Sequence, residues 1–203
     1  MTIRKGEDWG RVVPRPERLR TVGSDHDLAS ALCDGTGRPV IASGGDLART
    51  LGSSPDDERP TLNELPIDLL RVSVDDRREL TAVAHVVARR PRRAGSWFRG
   101  EVLFVMNAQF YGAWNLIPRG HPNDGRADLL RVEPSVGVRQ RVEAARRAPA
   151  SGHLPHSGLT TTRLTSREFV FESPMEILVD GVVIGRWATL RVEVDPDAAV
   201  VHA

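Results

Sequence analysis

Cysteine and lysine are nearly absent from this chain of 203 residues: Cys33 is the one cysteine and Lys5 the one lysine. A single cysteine excludes an internal disulfide and a cysteine-ligated metal cluster. Arginine carries the remaining positive charge, a composition typical of GC-rich codon usage. No apolar run approaches the roughly 20 residues that a membrane-spanning helix needs. The N-terminal sequence lacks the apolar core of a signal peptide, so we expect a cytoplasmic protein.

Net charge is also nearly absent, at +1, while 27% of residues are charged and 40% hydrophobic. These values are ordinary for a soluble globular protein, and no global field draws the chain to nucleic acid or membrane. The segment "RRPRRAGS", residues 89–96, places four arginines within five residues. The aromatic residues after it do not alternate with further basic residues. We therefore interpret it as a solvated turn and expect no nucleic-acid partner.

Hydrophobic patterning in residues 1–57 predicts a short α/β unit. "RLRTVG" is typical of a short strand, and "SDHDLASALCDG" of a helix with a Ser or Asp cap and a stop at Gly35. "PVIAS" predicts a buried strand, and "DLARTLG" a helix ending at Gly52. Cys33 is expected in the core on the apolar side of its helix. The polar, proline-bounded segment 53–60 is interpreted as a linker.

Strand patterns dominate residues 61–203. "DLLRVSVD" alternates, and "TAVAHVVARR" is interpreted as a strand because of its valines and its expected hairpin partner, "GEVLFVMNAQF". Further strands are predicted at "ADLLRVEP", "REFVFES", "MEILVDG", "VVIGRW" and "ATLRVEVDP", and a helix at residues 137–148. Asp180 and Gly181 predict a tight hairpin. The predicted fold class is therefore α+β, with the α/β unit followed by an antiparallel β-rich sandwich domain.

The order of segments after residue 100 is distinctive. "VMNAQFYGAW" precedes "PRGHPNDGRADLLRVEP", a helix, "SGHLPHSGL" and "MEILVDGVVIG". This order resembles the C-terminal domain of the diacylglycerol kinase catalytic family, which includes bacterial lipid kinases. The resemblance implies a two-lobe fold that transfers the γ-phosphate of ATP, with Mg²⁺, to a lipid hydroxyl.

Two loops of the N-terminal unit resemble the nucleotide-binding signatures of the same family, "GGDGT" and "GTGNDLAR". "GSDHD" begins at Gly23, and "ASGGDLAR" ends at Arg49. The resemblance implies a cofactor site at Gly23, Ser24, Asp25, Ser43, Gly44, Gly45, Asp46 and Arg49. Fewer than 25 residues precede Gly23, so we expect a shortened N-terminal lobe.

The first signature departs from the family at two positions. His26 replaces a glycine and Asp27 replaces a threonine. A phosphate at a helix start needs open backbone N–H groups, which a bulky side chain and a carboxylate oppose. Mg²⁺ bridged by Asp25 and Asp27 is the alternative that would restore nucleotide binding.

A further departure concerns the general base. The family glutamate that follows the last Asp-Gly pair is replaced by Val182, which cannot accept a proton. Loss of a general base costs about 10²- to 10⁴-fold in rate. Asp25 and Asp180 are then the catalytic candidates, with Glu176 as another substitute for the base.

Other site residues follow from the resemblance. Asn107, Arg119 and His121 are expected to face the cleft and bind substrate, while Asp124 and Asp128 are metal candidates together with Asp25. The pair in "GHLPHSG" is interpreted as structural, since zinc usually needs a third protein ligand. The tryptophan in "GEDWG" is expected to be packed rather than exposed.

Three hypotheses of function remain open. The first is a lipid kinase-like protein that is catalytically impaired and retains at most ligand binding, of a lipid, nucleotide or other small molecule, in the inter-lobe cleft. The second is an active kinase on an unusual substrate, using Asp25, Asp46 and a replacement base. The third is a non-catalytic structural or partner-binding protein that completes its short lobe with another chain, for example as a homodimer.

Overall fold

A computed structural model describes residues 9–53, 59–154 and 156–203. Most of the expected linker, residues 54–58, lies outside them. The helices are α1 (Asp25–Leu32), α2 (Gly45–Leu51) and α3 (Val138–Arg147). The strands are β1 (Arg11–Pro14), β2 (Arg20–Val22), β3 (Val40–Ala42), β4 (Thr61–Val74), β5 (Arg78–Ala82), β6 (His85–Arg89), β7 (Val102–Met106), β8 (Phe110–Tyr111), β9 (Trp114–Asn115), β10 (Ala127–Val132), β11 (Leu159–Leu164), β12 (Ser166–Val179) and β13 (Val182–His202). No described helix has the length and apolar character needed to cross a membrane.

One sheet of eleven strands carries most of the structure. Its main path runs β1-β4-β13-β12-β6-β7-β10-β11, with antiparallel pairing throughout. Strand β5 pairs with β4, while the parallel pair β2–β3 joins β13 where Ile41 meets His202. Strands β8 and β9 form a separate hairpin. The mostly antiparallel, β-rich architecture agrees with the predicted fold class.

Local signals in the N-terminal unit act as expected. The Ser24 hydroxyl accepts a hydrogen bond from the Asp27 backbone N–H and caps α1. Gly52 ends α2 at a φ of 72°, which glycine adopts without a Cβ penalty. The placement of Cys33 in the core was wrong, because α1 ends at Leu32 and the Cys33 side chain is exposed. Cys33 is the C-cap of α1, where its N–H donates to the carbonyl of Ala29.

In the β-rich part, the segment interpreted as one strand forms two, β5 and β6, separated by the buried Val83 and Ala84. Strand β6 pairs with β7, as expected. The four segments predicted after residue 165 merge into two long strands, β12 and β13. Asp180 and Gly181 join them at φ values of 46° and 80°, with Val179 opposite Val182, so the hairpin is confirmed.

The two predicted units share a hydrophobic core. Leu28 and Leu47, from α1 and α2, belong to one buried cluster with Ile67 of β4 and Val201 of β13. Trp9 packs against this cluster and donates its indole N–H to the carbonyl of Pro66, so it is packed as expected. The division of the chain into two domains at residues 57–61 stays a prediction. Buried side chains from both sides of this boundary belong to one core cluster.

Candidate functional site

Asp25 of the first signature loop, "GSDHD", forms hydrogen bonds to the second, "ASGGDLAR". This residue starts α1, and its carboxylate reaches the N-terminus of α2. Its Oδ2 accepts a hydrogen bond from the Asp46 N–H at 2.7 Å and its Oδ1 one from the Leu47 N–H at 3.0 Å. Burial raises the pKa of Asp25 to about 6, although these two hydrogen bonds oppose the shift. The N–H groups that a phosphate would use are therefore already bonded to protein.

The glycines of these loops permit contact between the loops themselves. A Cβ at Gly44 would lie 2.5 Å from the carbonyl oxygen of Gly23, and one at Gly45 would collide with the Asp25 carboxylate. Gly45 also has a φ of 94°, which disfavours a side chain. The space beside α2 is thus filled by the first loop, and the arrangement does not fit a phosphate at this helix terminus.

Asp46 is bonded to His85, a residue that no sequence motif indicated. The Asp46 Oδ2 lies 2.9 Å from the His85 Nε2, and the Gly112 N–H donates to both Asp46 oxygens at 2.9 Å. Burial disfavours the charged imidazolium, but the hydrogen bond to Asp46 and the charges of Asp180 and Asp46 raise the pKa of His85. Despite burial, the hydrogen bond from His85 lowers the pKa of Asp46.

Asp180 holds the backbone that carries His85. Its carboxylate accepts hydrogen bonds from the N–H groups of Val83, Ala84 and His85 at 2.9–3.0 Å. Burial raises the pKa of Asp180, against the charge of His85 and these bonds. Val182, which follows the hairpin, has 41% of its surface exposed. Asp25 and Asp180 therefore lie at one site with Asp46 and His85.

Asp25, Asp46 and His85 are the group of potential metal ligands that the described residues bring within 4.8 Å of one another. Each side chain already has protein partners, since Asp25 accepts two backbone N–H groups and Asp46 contacts His85 and Gly112. Mg²⁺ prefers an octahedral shell of oxygen ligands, and an imidazole nitrogen suits it poorly. The donor set is better explained as a hydrogen-bonded network than as a Mg²⁺ site.

The other cofactor candidates make protein contacts. Gly23 supplies the carbonyl that approaches Gly44. The Ser24 hydroxyl donates to the Asp27 carboxylate at 2.7 Å, and the Ser43 hydroxyl donates to the Val22 carbonyl at 2.9 Å. Arg49 donates to the Gly112 carbonyl and lies 3.9 Å from the centre of the Phe110 ring. The N-terminal unit is thus bonded to the segment that follows β7.

The substrate candidates are dispersed. The buried Asn107 amide donates to the carbonyls of Asp68 and Val83. The His121 ring lies 4.4 Å from the Trp9 ring, and burial lowers its pKa. Arg119 is exposed. No described contact joins these three side chains to one another.

The remaining metal candidates, and the two histidines of "GHLPHSG", lie outside the group formed by Asp25, Asp46 and His85. Asp124 and Asp128 each lie 3.4 Å from Arg163, so the structure brings these two acids together around a guanidinium and not around Asp25. The ring of His153 contacts the Leu116 carbonyl, while His156 accepts a hydrogen bond from the Gly158 N–H. These contacts are consistent with the structural interpretation of the two histidines.

An apolar cavity of about 460 Å³ lies between α3 and strands β7, β10 and β11. Apolar and aromatic side chains dominate its wall, which comprises Trp97, Phe98, Val102, Phe104, Trp114, Leu116, Leu130, Val132, Arg141, Val142, Ala144, Ala145, Arg146, Ala148, His153 and Leu159. Sequence patterning did not reveal this cavity, because its wall combines strands, a helix and loops from residue 97 to residue 159.

Tyr111 connects the cavity wall with the acidic site. Its ring packs against Trp97, Phe104 and Trp114 at centroid distances of 5.4–6.1 Å. The Tyr111 ring also lies 4.8 Å from the centre of the His85 ring. Tyr111 therefore contacts both the aromatic wall of the cavity and the histidine that is bonded to Asp46.

Solved structures with a similar fold include three of diacylglycerol kinase type. A diacylglycerol kinase from Bacillus anthracis str. Sterne superposes with a TM-score of 0.63 at 14% identity, over 91% of this chain and 75% of that one. Two further structures of diacylglycerol kinase type from the same organism give TM-scores of 0.66 and 0.65, at 12% and 13% identity, over 91% of this chain and 77% of theirs. No protein-family profile matches the sequence, and no curated protein does either. The chain thus has the two-lobe lipid kinase fold.

Proposed function

We propose that this chain, which has the fold of diacylglycerol kinases, binds the acyl chain of a lipid in its apolar cavity and is impaired in phosphoryl transfer. The observation that carries the proposal is the cavity itself. Its volume of about 460 Å³ falls within the range of roughly 300–1,000 Å³ that is usual for small-molecule sites. Burying an alkyl chain there would remove apolar surface of both partners from water.

The polar end of the ligand is expected at Tyr111. Its ring contacts both the cavity wall and the His85 ring, so a lipid hydroxyl there would be near hydrogen-bonding groups. The inter-lobe cleft expected from the sequence is crossed by direct contacts, because Asp46, Arg49 and Thr50 of α2 bond to the segment after β7. A lipid held by its chain needs little space between the lobes.

Impaired transfer is supported by the chemistry of three residues. Val182 offers no base, and the Asp180 carboxylate is committed to three backbone N–H groups. The Asp25 carboxylate occupies the N-terminus of α2. Loss of the general base alone costs about 10²- to 10⁴-fold. Closure of the phosphate position removes nucleotide contacts in addition, so ATP and Mg²⁺ are not expected to serve as cofactors.

The cavity is tested by two alanine-to-phenylalanine variants. Ala144 lines the cavity, whereas Ala150 is exposed and does not. Ala144→Phe should weaken binding of a medium-chain monoacylglycerol, studied below its micelle concentration, by about tenfold or more. Ala150→Phe should bind like the unchanged protein. Isothermal titration calorimetry gives the dissociation constants, and equal affinities for all three proteins would refute an acyl site in this cavity.

Phosphoryl transfer is tested separately with ATP and Mg²⁺. Binding to the native state raises the apparent melting temperature, so we expect no thermal shift with the nucleotide. Radiolabelled phosphate should not appear on the monoacylglycerol. Transfer that Asp25→Ala abolishes would instead establish the active kinase. Light scattering of the same sample tests the homodimer, which a monomeric mass would exclude.

A further inference from the structure

We infer that a groove between α3 and the segment before β11 binds a soluble phosphate monoester that also carries a hydroxyl group, as a sugar phosphate does. This α3 groove has a volume of about 460 Å³, within the range that is usual for small-molecule sites. Four polar side chains on α3 and two histidines of the segment after it line the groove: Arg139, Gln140, Glu143, Arg147, His153 and His156. The groove therefore has polar groups on two walls.

His156 offers a hydrogen-bond donor to the α3 groove. Its Nδ1 accepts a hydrogen bond from the Gly158 N–H at 3.0 Å, so this nitrogen carries no proton. The proton of the ring is therefore on Nε2, and this atom makes no hydrogen bond to the described residues. The same geometry explains why the histidine pair need not be a metal site, since the nitrogen that faces the backbone is already used.

The α3 wall presents further donors. The Gln140 Oε1 accepts the Gly137 N–H at 3.0 Å, and this leaves the amide NH₂ group available. Glu143 pairs with Arg147 at 2.8 Å, so its negative charge is balanced. The Arg139 guanidinium is exposed and has no ion pair within the described part of the chain. The α3 groove thus has an excess of donors and of positive charge, which a ligand with anionic acceptor oxygens matches.

A phosphate group suits these donors better than a carboxylate. A phosphate monoester presents three terminal oxygens, which can accept hydrogen bonds from both walls at once. A carboxylate has two oxygens in one plane and reaches fewer of the donors. Charge-assisted bonds between a guanidinium and a phosphate are also roughly twice as strong as bonds between neutral groups. We therefore expect one phosphate to contact Arg139 on the first wall and His156 on the second.

His153 indicates that the ligand also carries a hydroxyl group. The side chain is 4% exposed, and its Nε2 lies 3.1 Å from the Leu116 carbonyl, which can only accept. The proton is therefore on Nε2, and burial lowers the pKa of the ring and favours the neutral form. The buried Nδ1 is then an acceptor, and the described residues supply no partner for it. A ligand hydroxyl that donates to Nδ1 would satisfy this atom and stabilise the complex.

The α3 groove is distinct from the apolar cavity, although Ala144 and His153 line both. Arg139 and His156, the expected phosphate contacts, do not line the cavity. Phosphate binding in the groove therefore requires no lipid in the cavity, and the two sites can be tested with different variants.

Isothermal titration calorimetry with glucose 6-phosphate tests the α3 groove. The sugar phosphate should bind, high salt should weaken its binding, and glucose should not bind measurably because it lacks the anion. Arg139→Gln should weaken binding by about tenfold or more. The matched control is Arg146→Gln, which removes an exposed arginine of α3 outside the groove and should bind within about twofold of the unchanged protein.

Two further measurements locate the ligand and test its hydroxyl group. Methyl phosphate, a monoester without a hydroxyl group, should bind more weakly than glucose 6-phosphate because it cannot donate to His153. In nitrogen-15 NMR spectra, the Nε2 resonance of His156 should shift when glucose 6-phosphate is added.

Absence of glucose 6-phosphate binding would overturn the assignment, as would equal affinities of Arg139→Gln and Arg146→Gln. Equal affinities for methyl phosphate and glucose 6-phosphate would exclude the role of the hydroxyl group. A His156 resonance that does not move at saturation would place the phosphate elsewhere. The acyl site gives a different pattern, because Arg139→Gln should bind monoacylglycerol like the unchanged protein.

Discussion

At the scale of single residues, Asp25 shows two opposing effects on one carboxylate. The N-terminus of a helix favours an anion, and the Asp25 carboxylate provides one from across the loop. The carboxylate is also largely withdrawn from water, which favours its protonated form. These two effects oppose each other, and burial is the larger, because the pKa rises to about 6.

This balance predicts a dependence of stability on pH. The folded pKa of about 6 exceeds the ordinary value of 3.8. Asp25 therefore contributes stability that is fully present below pH 3.8 and is lost as the pH rises through about 6. Relative to Asp25→Asn, the unchanged protein should lose at most about 1.4 kcal/mol per pH unit in this window. Urea denaturation of both proteins across this range measures the difference.

Asp34→Asn provides the opposite control. Hydrogen bonds from Thr36 lower the pKa of the exposed Asp34, so its stabilising contribution is lost as the pH falls. The difference curves of the two variants should therefore slope in opposite directions. Parallel curves for Asp25→Asn and the unchanged protein would show that burial does not perturb this carboxyl.

At the scale of elements, α3 is joined to the protein by an unusual contact. Its buried residue is Arg141, whose guanidinium donates to four backbone carbonyls and, among the described residues, to no carboxylate. Burial lowers the pKa of this group. The planar fork of donors suits several diverging carbonyls at once, which a lysine ammonium would match less well.

Replacing Arg141 should therefore loosen both α3 and the loop before β7. Arg141→Met leaves several buried carbonyls without a donor and should cost about 2–3 kcal/mol or more of unfolding free energy. Arg141→Lys should recover only part of the loss. The matched control is Arg139→Met on the exposed side of α3, which should change stability by no more than about 0.5 kcal/mol. Equal losses in Arg141→Met and Arg139→Met, by urea denaturation, would contradict the role of the four bonds.

At the scale of the whole molecule, a core shared across residues 57–61 predicts cooperative unfolding. Ile67 is fully buried where α1 and α2 pack on β4 and β13. Ile67→Ala should lower the unfolding free energy by about 2–5 kcal/mol, and Ile67→Val by about 0.5–1.5 kcal/mol. Both variants should still unfold in one transition, with far-ultraviolet circular dichroism and tryptophan fluorescence coinciding. Two separated transitions would mean that the N-terminal unit unfolds alone.

Local features of the fold were predictable because their physical causes are local. Ser24 caps α1 through a residue three positions away, Gly52 ends α2 with its own φ, and Asp180 and Gly181 turn the chain between adjacent strands. Strand boundaries were less predictable. The sequence predicted two short strands where the structure has β12, and two where it has β13. Whether such segments join depends on how each strand pairs with its neighbours, and this pairing includes bulges near Val170 and Asp195.

The sequence by itself determined the α+β class, the two signature loops with their departures from the lipid kinase pattern, and the hairpin before Val182. The tertiary structure alone decided what those residues contact. Asp25 meets the α2 terminus across 21 residues, His85 meets Asp46 across 39, and Asp180 meets Val83 across 97. Contacts of such separation arise from the pairing of strands and the packing of the two units, which periodicity does not encode. The cavity beside α3 was not predictable for the same reason, since its wall consists of segments that are adjacent only in the folded protein.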